Sequence, residues 1–421
     1  MSDKTKKFTT PEFFVVLAYC IYLSCEILNY TQFRNLAGWY FIYRIIVLLV
    51  ASIVIIGIVT KNKQSTKWLI LSTSIITVGL LIVIYNDQMM NTAILMLFIV
   101  AGSSIHDEKI FRYHWIIVST LVAFTLLLYA IGVYEPDYIV RTSLTGQTER
   151  AYMGFAYTTY PPNYLIHMMF TFYASSKKQI QLRDTIIFLF VNYIFFRFTA
   201  TYAVFYEVLA FIMVLWILKA RPQLFASRLF GTISTLFMPL MTVAAMWLSI
   251  IYTPTNSVLF MFNQLMSGRL NQAHIGIIRY GFKLFGNPVE WSAGRYGLER
   301  FDEYFYVDSS YVNIALTYGM VALIFIVLCF AILNYKAFKK GNYKLCIIFA
   351  FLALHSFTDP QLLELKYNPF LIILLAAFIP SMEKVLTIGL KNETIMNTVK
   401  KKKHKIKFKT GLTHIGIRNN W

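Results

Sequence analysis

The sequence predicts an all-α polytopic membrane protein, with about twelve transmembrane helices and two longer external loops. Three observations carry this. Apolar stretches of roughly 17–25 residues, enough to cross a hydrocarbon core, recur along the chain from Phe13 to Leu386. Only 14% of the residues are charged and 57% are hydrophobic, whereas a soluble domain carries about 25% charged residues. The apolar runs are continuous and do not alternate with period two, which argues against a β-barrel.

The first span is expected at 13–29. Lys4, Lys6 and Lys7 precede it without a small-residue cleavage site after it, so it is expected to stay in the protein. The next spans are expected at 38–60, 68–85, 90–105, 115–134, 163–175, 185–198, 201–217, 229–252, 310–333, 343–357 and 368–388. Those at 163–175 and 185–198 are short for a crossing. Residues 1–390 thus form a single transmembrane domain, with external loops at about 135–162 and 252–309, and 391–421 is a basic cytoplasmic tail. That tail fits two readings, adhesion to anionic lipid headgroups or a solvated extension.

Alternation of twelve spans from a cytoplasmic N-terminus places 28 of the 39 lysines and arginines inside and ten outside, with Arg44 within a span. This matches the positive-inside rule and predicts that both termini are cytoplasmic. It also accounts for the net charge of +19 without nucleic acid. Eight of the ten external bases are arginine, while 23 of the 28 internal ones are lysine. The arginine fork grips phosphate or carboxylate with two hydrogen bonds, so arginine on the outer face points to an anionic ligand or to pairing with the external acids. No GxxxxGK[ST] loop and no cytoplasmic nucleotide-binding domain is present, which excludes an ATP-driven machine within this chain. The four cysteines make no metal motif and are expected to pack in spans. No metal and no cofactor is expected.

Within the spans, Glu26 and Arg44 can pair across helices, as structure or as function. Glu207 is placed to face a cavity, and His167 and His355 lie in or at the ends of spans. Two external constellations stand out. In the first, Arg150 precedes Gly154-Phe155, and Tyr160-Pro161-Pro162-Asn163 opens a span whose free backbone N–H groups favour an anion. In the second, Ser267-Gly268-Arg269 precedes an expected amphipathic helix over 270–285, lying on the membrane face with Ser267 as its N-cap. A cation in the first turn opposes the helix dipole, so Arg269 there implies an anionic partner. The same loop carries Arg279, Arg295 and Arg300 and ends on Asp308-Ser309-Ser310-Tyr311.

These residues resemble the Wzy-type polysaccharide polymerases of the O-antigen polymerase and ligase group. The resemblance rests on Arg150 with Gly154-Phe155 and Pro162-Asn163, on Ser267-Gly268-Arg269, and on Asp308-Ser309-Ser310-Tyr311 with Tyr318-Gly319. His355-Ser356-Phe357-Thr358-Asp359 and Tyr367-Asn368-Pro369-Phe370 add to it. It covers about residues 13–388. Thr199-Ala200-Thr201-Tyr202 departs from the Ser-Arg or Thr-Arg pair common in such families.

The resemblance implies a glycosyltransferase of the bacterial cytoplasmic membrane. Such an enzyme joins oligosaccharide repeat units, carried on undecaprenyl pyrophosphate, into exopolysaccharide or capsule at the outer face. It implies lipid-linked oligosaccharide as substrate, with a chain-length regulator and a flippase of the same pathway as partners. Asp308 is then the first candidate for general base, His355 the second, and Arg269 the catalytic cation. Arg150, Arg269, Arg279, Arg295, Arg300, Asn163 and Tyr311 are the candidates for binding substrate. A transporter or flippase, a ligase of the same group, and a scaffold of an envelope complex are the competing readings. Topology is directly testable: a Glu290→Cys variant is expected to react with an impermeant thiol reagent from outside the cell, and labelling from the cytoplasm alone would overturn the site assignment.

Overall fold

The computed structural model describes residues 9–61, 64–86, 89–105, 108–143, 146–292 and 304–387. It is an all-α polytopic architecture. Helices α1 (Thr10–Asn29), α2 (Trp39–Val59), α3 (Thr66–Tyr85), α4 (Met89–Ala101) and α5 (Lys109–Ala130) lead to a two-stranded hairpin of β1 (Tyr138–Ser143) and β2 (Gly146–Ala151). Then come α6 (Tyr160–Ser175), α7 (Leu182–Thr199), α8 (Tyr202–Ala220), the single turn α9 (Pro222–Phe225) and α10 (Arg228–Ile251). Two short helices follow, α11 (Ser257–Leu265) and α12 (Arg269–Tyr280), before α13 (Ser310–Thr317), α14 (Gly319–Lys339), α15 (Tyr343–Thr358) and two 3-10 runs, Pro369–Ala377 and Pro380–Thr387.

Seven of these helices (α1, α2, α3, α5, α8, α10 and α14) are long and apolar enough to cross a membrane. The other expected spans have shorter or irregular counterparts. α4 continues into a 3-10 turn at Gly102–Ser104, and α6 and α15 have 16 residues each. The segment expected as the last span is 3-10 helical. Every residue of Pro369–Ala377 is buried, as a segment apolar on all faces must be. It packs against α4, α5 and α14. Gly102 makes that approach possible, since a Cβ there would lie 1.6 Å from the Ile372 carbonyl oxygen.

The expected span 310–333 is broken. Gly319, at φ +89°, separates α13 from α14, and the external loop folds into the gap. A break inside a membrane leaves backbone groups that lipid cannot satisfy. Here the loop satisfies them. Asn287 donates its backbone N–H to the Leu316 carbonyl at 2.8 Å and its amide Nδ2 to the same oxygen at 3.1 Å. Met320 donates to Lys283 at 2.9 Å and Val321 to Leu284 at 3.2 Å. Asn86, from the α3–α4 connection, donates to the Thr317 carbonyl. The turn Gly286-Asn287-Pro288 is thus a plug in a split helix.

Four further expectations are corrected. The amphipathic helix ends at Tyr280 rather than Phe285, stopped by Gly281 at φ +64°. Ser267 is not its N-cap: Ser267 and Gly268 both have positive φ, and Gly268 occupies the cap position without a side-chain bond. Leu270, Ala273 and Gly276 are buried, so α12 packs inward on α10 and α13 and is no free surface helix. Finally, Glu26 and Arg44 do not pair. Glu26 accepts from the Tyr43 hydroxyl and faces Lys366, while Arg44 lies 4.3 Å over the Tyr40 ring.

The plug sets a stability test. A Cβ on Gly286, itself at φ +87°, would lie 2.0 Å from the Thr317 carbonyl oxygen, whereas one on Gly132, at φ +76°, meets nothing within 4 Å. Gly132→Ala is expected to cost about 1 kcal/mol for its left-handed backbone. Gly286→Ala adds overlap and is expected to cost roughly 3 kcal/mol or more, read as a larger drop in thermal midpoint of the detergent-purified protein.

Candidate active-site cavity

A cavity of about 850 Å³ opens at one end of the bundle. Its walls come from the connections α1–α2, α5–α6, α7–α8, α10–α13 and from the segment after α15. In an antiparallel bundle these connections share one end, and the cavity gathers them. The two longest loops, distant in sequence, therefore meet over one space.

Arg269 stands at the centre of the charge pattern. It opens α12, and its Nε donates to Asp308 Oδ2 at 3.0 Å, while Nη2 lies 3.9 Å from Asp359 Oδ1. Burial disfavours its charge, but Asp359 and Asp308 outweigh that and hold its pKa above the ordinary arginine value. The anionic partner that its place against the helix dipole implied is thus present within the chain. Asp308 precedes Ser309, the N-cap of α13, and stands about a quarter exposed on the cavity wall. Asp359 follows α15 and is buried in the floor. Asn163 Nδ2 donates to its Oδ1 at 3.3 Å, and the Ser310 hydroxyl donates to its backbone carbonyl. Asn163 is therefore a strut for Asp359, and it lies outside the lining.

Arg150 also lines the cavity, though only 7% exposed. Its Nε donates to the Thr199 carbonyl and its Nη2 to Thr201 Oγ1 at 3.0 Å. The arginine thus reaches the turn at 199–201 from the hairpin. The turn itself reverses through Ala200 at φ +47°.

The other candidates fall elsewhere. His355 is 1% exposed and does not line the cavity. Its Nδ1 faces Glu207 Oε2 at 2.7 Å and its Nε2 faces Gln361 Oε1 at 3.0 Å, with the His167 ring edge-on at 4.8 Å. With an oxygen at each nitrogen, the ring is placed as a donor on both sides, and Gln361 stands between it and the cavity. Direct proton abstraction from a ligand does not fit that position. Tyr311 is fully buried and donates its hydroxyl to the Ala353 carbonyl at 2.7 Å, so it packs α13 on α15 and does not meet a ligand. Arg279 lies 4.9 Å over the Phe305 ring, away from the lining. Arg295 and Arg300 lie outside the described residues.

Two features of the cavity were not among the candidates. One is a set of eight tyrosines in the wall, among them Tyr157, Tyr160, Tyr304 and Tyr306. Burial first, and then Asp308 for Tyr304 and Glu364 for Tyr306, raises these two phenols well above their ordinary value. They are neutral hydroxyls at physiological pH, each with an apolar face and a polar tip. The other is Lys366, only 3% exposed. Its ammonium contacts Glu364, lies 3.6 Å from Glu26 Oε2 and sits 3.3 Å over the Tyr30 ring. Burial would lower the Lys366 pKa, but Glu364 and then Glu26 outweigh it and raise it. Glu364 reaches the cavity from this cluster. Sequence offered a weak signal, a Glu-x-Lys on the shortest kind of external loop, with Glu26 more than three hundred residues away.

Compared with protein-family models, curated proteins and solved structures, the chain matches none.

The Lys366 cluster yields a paired test. Lys366→Met strands Glu26 in the interior and is expected to cost about 3–5 kcal/mol. Adding Glu26→Gln removes the stranded charge and is expected to restore much of the loss. A single variant as stable as the wild type, by thermal unfolding in detergent, would contradict the cluster.

Proposed function

We propose that this protein polymerises lipid-linked oligosaccharide repeat units, transferring a growing glycan from its undecaprenyl pyrophosphate carrier to a hydroxyl of the next unit. The observation that carries this reading is that Arg150 and Arg269, from the two longest loops, line one cavity, with the Asp308 carboxylate bonded to the second of them. Together with the sequence resemblance, this supplies the parts such a transfer needs. A departing pyrophosphate needs fixed cations, and a guanidinium gives a charge-assisted, two-pronged grip. A sugar hydroxyl needs a carboxylate base within reach, and Asp308 faces the same space. The neutral tyrosines offer ring faces and hydroxyls to sugar.

In this scheme Arg269 is shared. Pyrophosphate arriving on its guanidinium competes with Asp308 for the same N–H groups. Leaving-group binding then loosens Asp308 from its ion pair just where a base is required. The bond from the anomeric carbon to the pyrophosphate oxygen breaks, a bond from that carbon to the acceptor oxygen forms, and the acceptor proton passes to Asp308. The pyrophosphate ester is already activated, so no nucleotide is consumed.

The test is reconstitution of the purified protein in vesicles with lipid-linked repeat units. A ladder of products is expected. Unit movement between leaflets without a ladder would make the protein a flippase, and a single transfer of finished glycan a ligase. Arg269→Lys is expected to insert normally and to polymerise about a hundredfold more slowly, a loss of roughly 3 kcal/mol in barrier stabilisation, with Arg269→Ala worse. Near-normal turnover per molecule in Arg269→Ala would refute the pyrophosphate role. Wild-type turnover in Asp308→Asn would refute the base role.

A further inference from the structure

No Asp, Glu, Lys, Arg or His occurs between Arg228 and Arg269, an interval of forty residues. α10 takes up only the first part of it, ending at Ile251. The rest includes α11, which is too short to cross a bilayer. It is also barely packed: Asn263 is its one buried residue, accepting from the Asn271 backbone at 2.9 Å. Val258, Met261 and Leu265 are 73%, 61% and 78% exposed, and Phe260 is exposed beside them. A helix in water with such a surface and no charge would be a liability.

We propose that α11 is seated in the interfacial layer of the same bilayer that the bundle spans, with lipid as its partner. It follows α10 in the chain across a short uncharged connection, and α10 itself exposes Leu240, Val243, Trp247 and Ile250. Its helix start is satisfied locally, since Asn256 Oδ1 accepts from the Val258 and Leu259 N–H groups at 3.0 and 3.1 Å. It therefore needs no water to cap it. A helix with apolar side chains sunk to the acyl boundary lies in the plane of the membrane. Leu265, at its C-terminal end, is already part of the cavity wall, followed by Ser267, Gly268 and Arg269. Seating α11 thus fixes the lip of the cavity at headgroup depth. An amphiphile with an anionic head would reach Arg269 by lateral diffusion, its tail still in the leaflet. The seating itself does not depend on the reaction proposed above.

The test uses the full-length protein in its native membrane. A benzophenone-bearing phenylalanine is placed in turn at positions 261, 265, 243 and 290, and irradiated. Position 243 on α10 is the positive control, and Glu290, exposed on the charged loop, is the negative one. Lipid-mass adducts at 261 and 265, in yields near that at 243 and at least tenfold above that at 290, are expected. Yields at 261 and 265 no higher than at 290, with 243 reacting, would overturn the proposal. Adducts of protein mass at 261 would overturn it too, by making α11 a contact with another chain. Since the measurement reads lipid and not polymer, a failed polymerase assay and a failed seating are told apart.

Discussion

A helix cannot be interrupted inside a bilayer unless something else completes its hydrogen bonds. The break between α13 and α14 meets that requirement by borrowing the backbone of the external loop. Gly286 and Gly319 are both in the left-handed region, and each leaves no room for a Cβ against the other's strand of chain. The plug holds the stretch after α12, residues 283–287, against the junction of α13 and α14. Arg269 is presented by α12, and 304–308 is drawn across to carry Tyr304, Tyr306 and Asp308 into the wall.

The two ends of the bundle use their cations differently. At the end opposite the cavity, lysines finish backbone ends. Lys219 donates to the Ile180 carbonyl at 2.8 Å, Lys336 to Ala377 at 2.7 Å, and Lys61 and Lys344 to Ser103 and Ser176. Glu383 accepts from both Lys336 and Lys340 at 3.0 Å. At the cavity end, Arg269 is balanced by Asp308 and Asp359 and Lys366 by Glu364, carboxylates that line the space, with the buried Glu26 behind Lys366. A flexible ammonium suits a carbonyl wherever it is found, while a planar guanidinium suits a fixed fork. The lysine and arginine bias visible in the sequence thus has a local structural use.

The helical class and most of the spans were legible because a long apolar run has few alternatives in a membrane. Arg269, Arg150 and Asp308 stood out in the sequence because each falls in a short motif on the two longest loops, where the bases are mostly arginine. What could not be read depends on meeting across the chain. Nothing local marks Tyr318-Gly319 as a break until 283–287 is laid beside it. The hairpin of β1 and β2 is hidden in a loop whose residues read as connection. Lys366 looks like an exposed loop lysine until Glu26 lies 3.6 Å away. Tyr311 misled in the other sense: it belongs to a motif beside the site, but its hydroxyl is spent on the Ala353 carbonyl. His355 likewise belongs to the floor's support, one residue removed from the space it was expected to face.

Pro369–Ala377 carries a consequence for biogenesis. It is buried on every side, yet it emerges from the ribosome after all fifteen α-helices of the described residues. The elements that surround it, α4, α5 and α14, must enter the bilayer with a vacant slot between them. Until that slot is filled, Gly102 and its neighbours face lipid. The last act of assembly is then an insertion between walls already standing, and a chain cut short before Pro369 would leave the slot between α4, α5 and α14 unfilled.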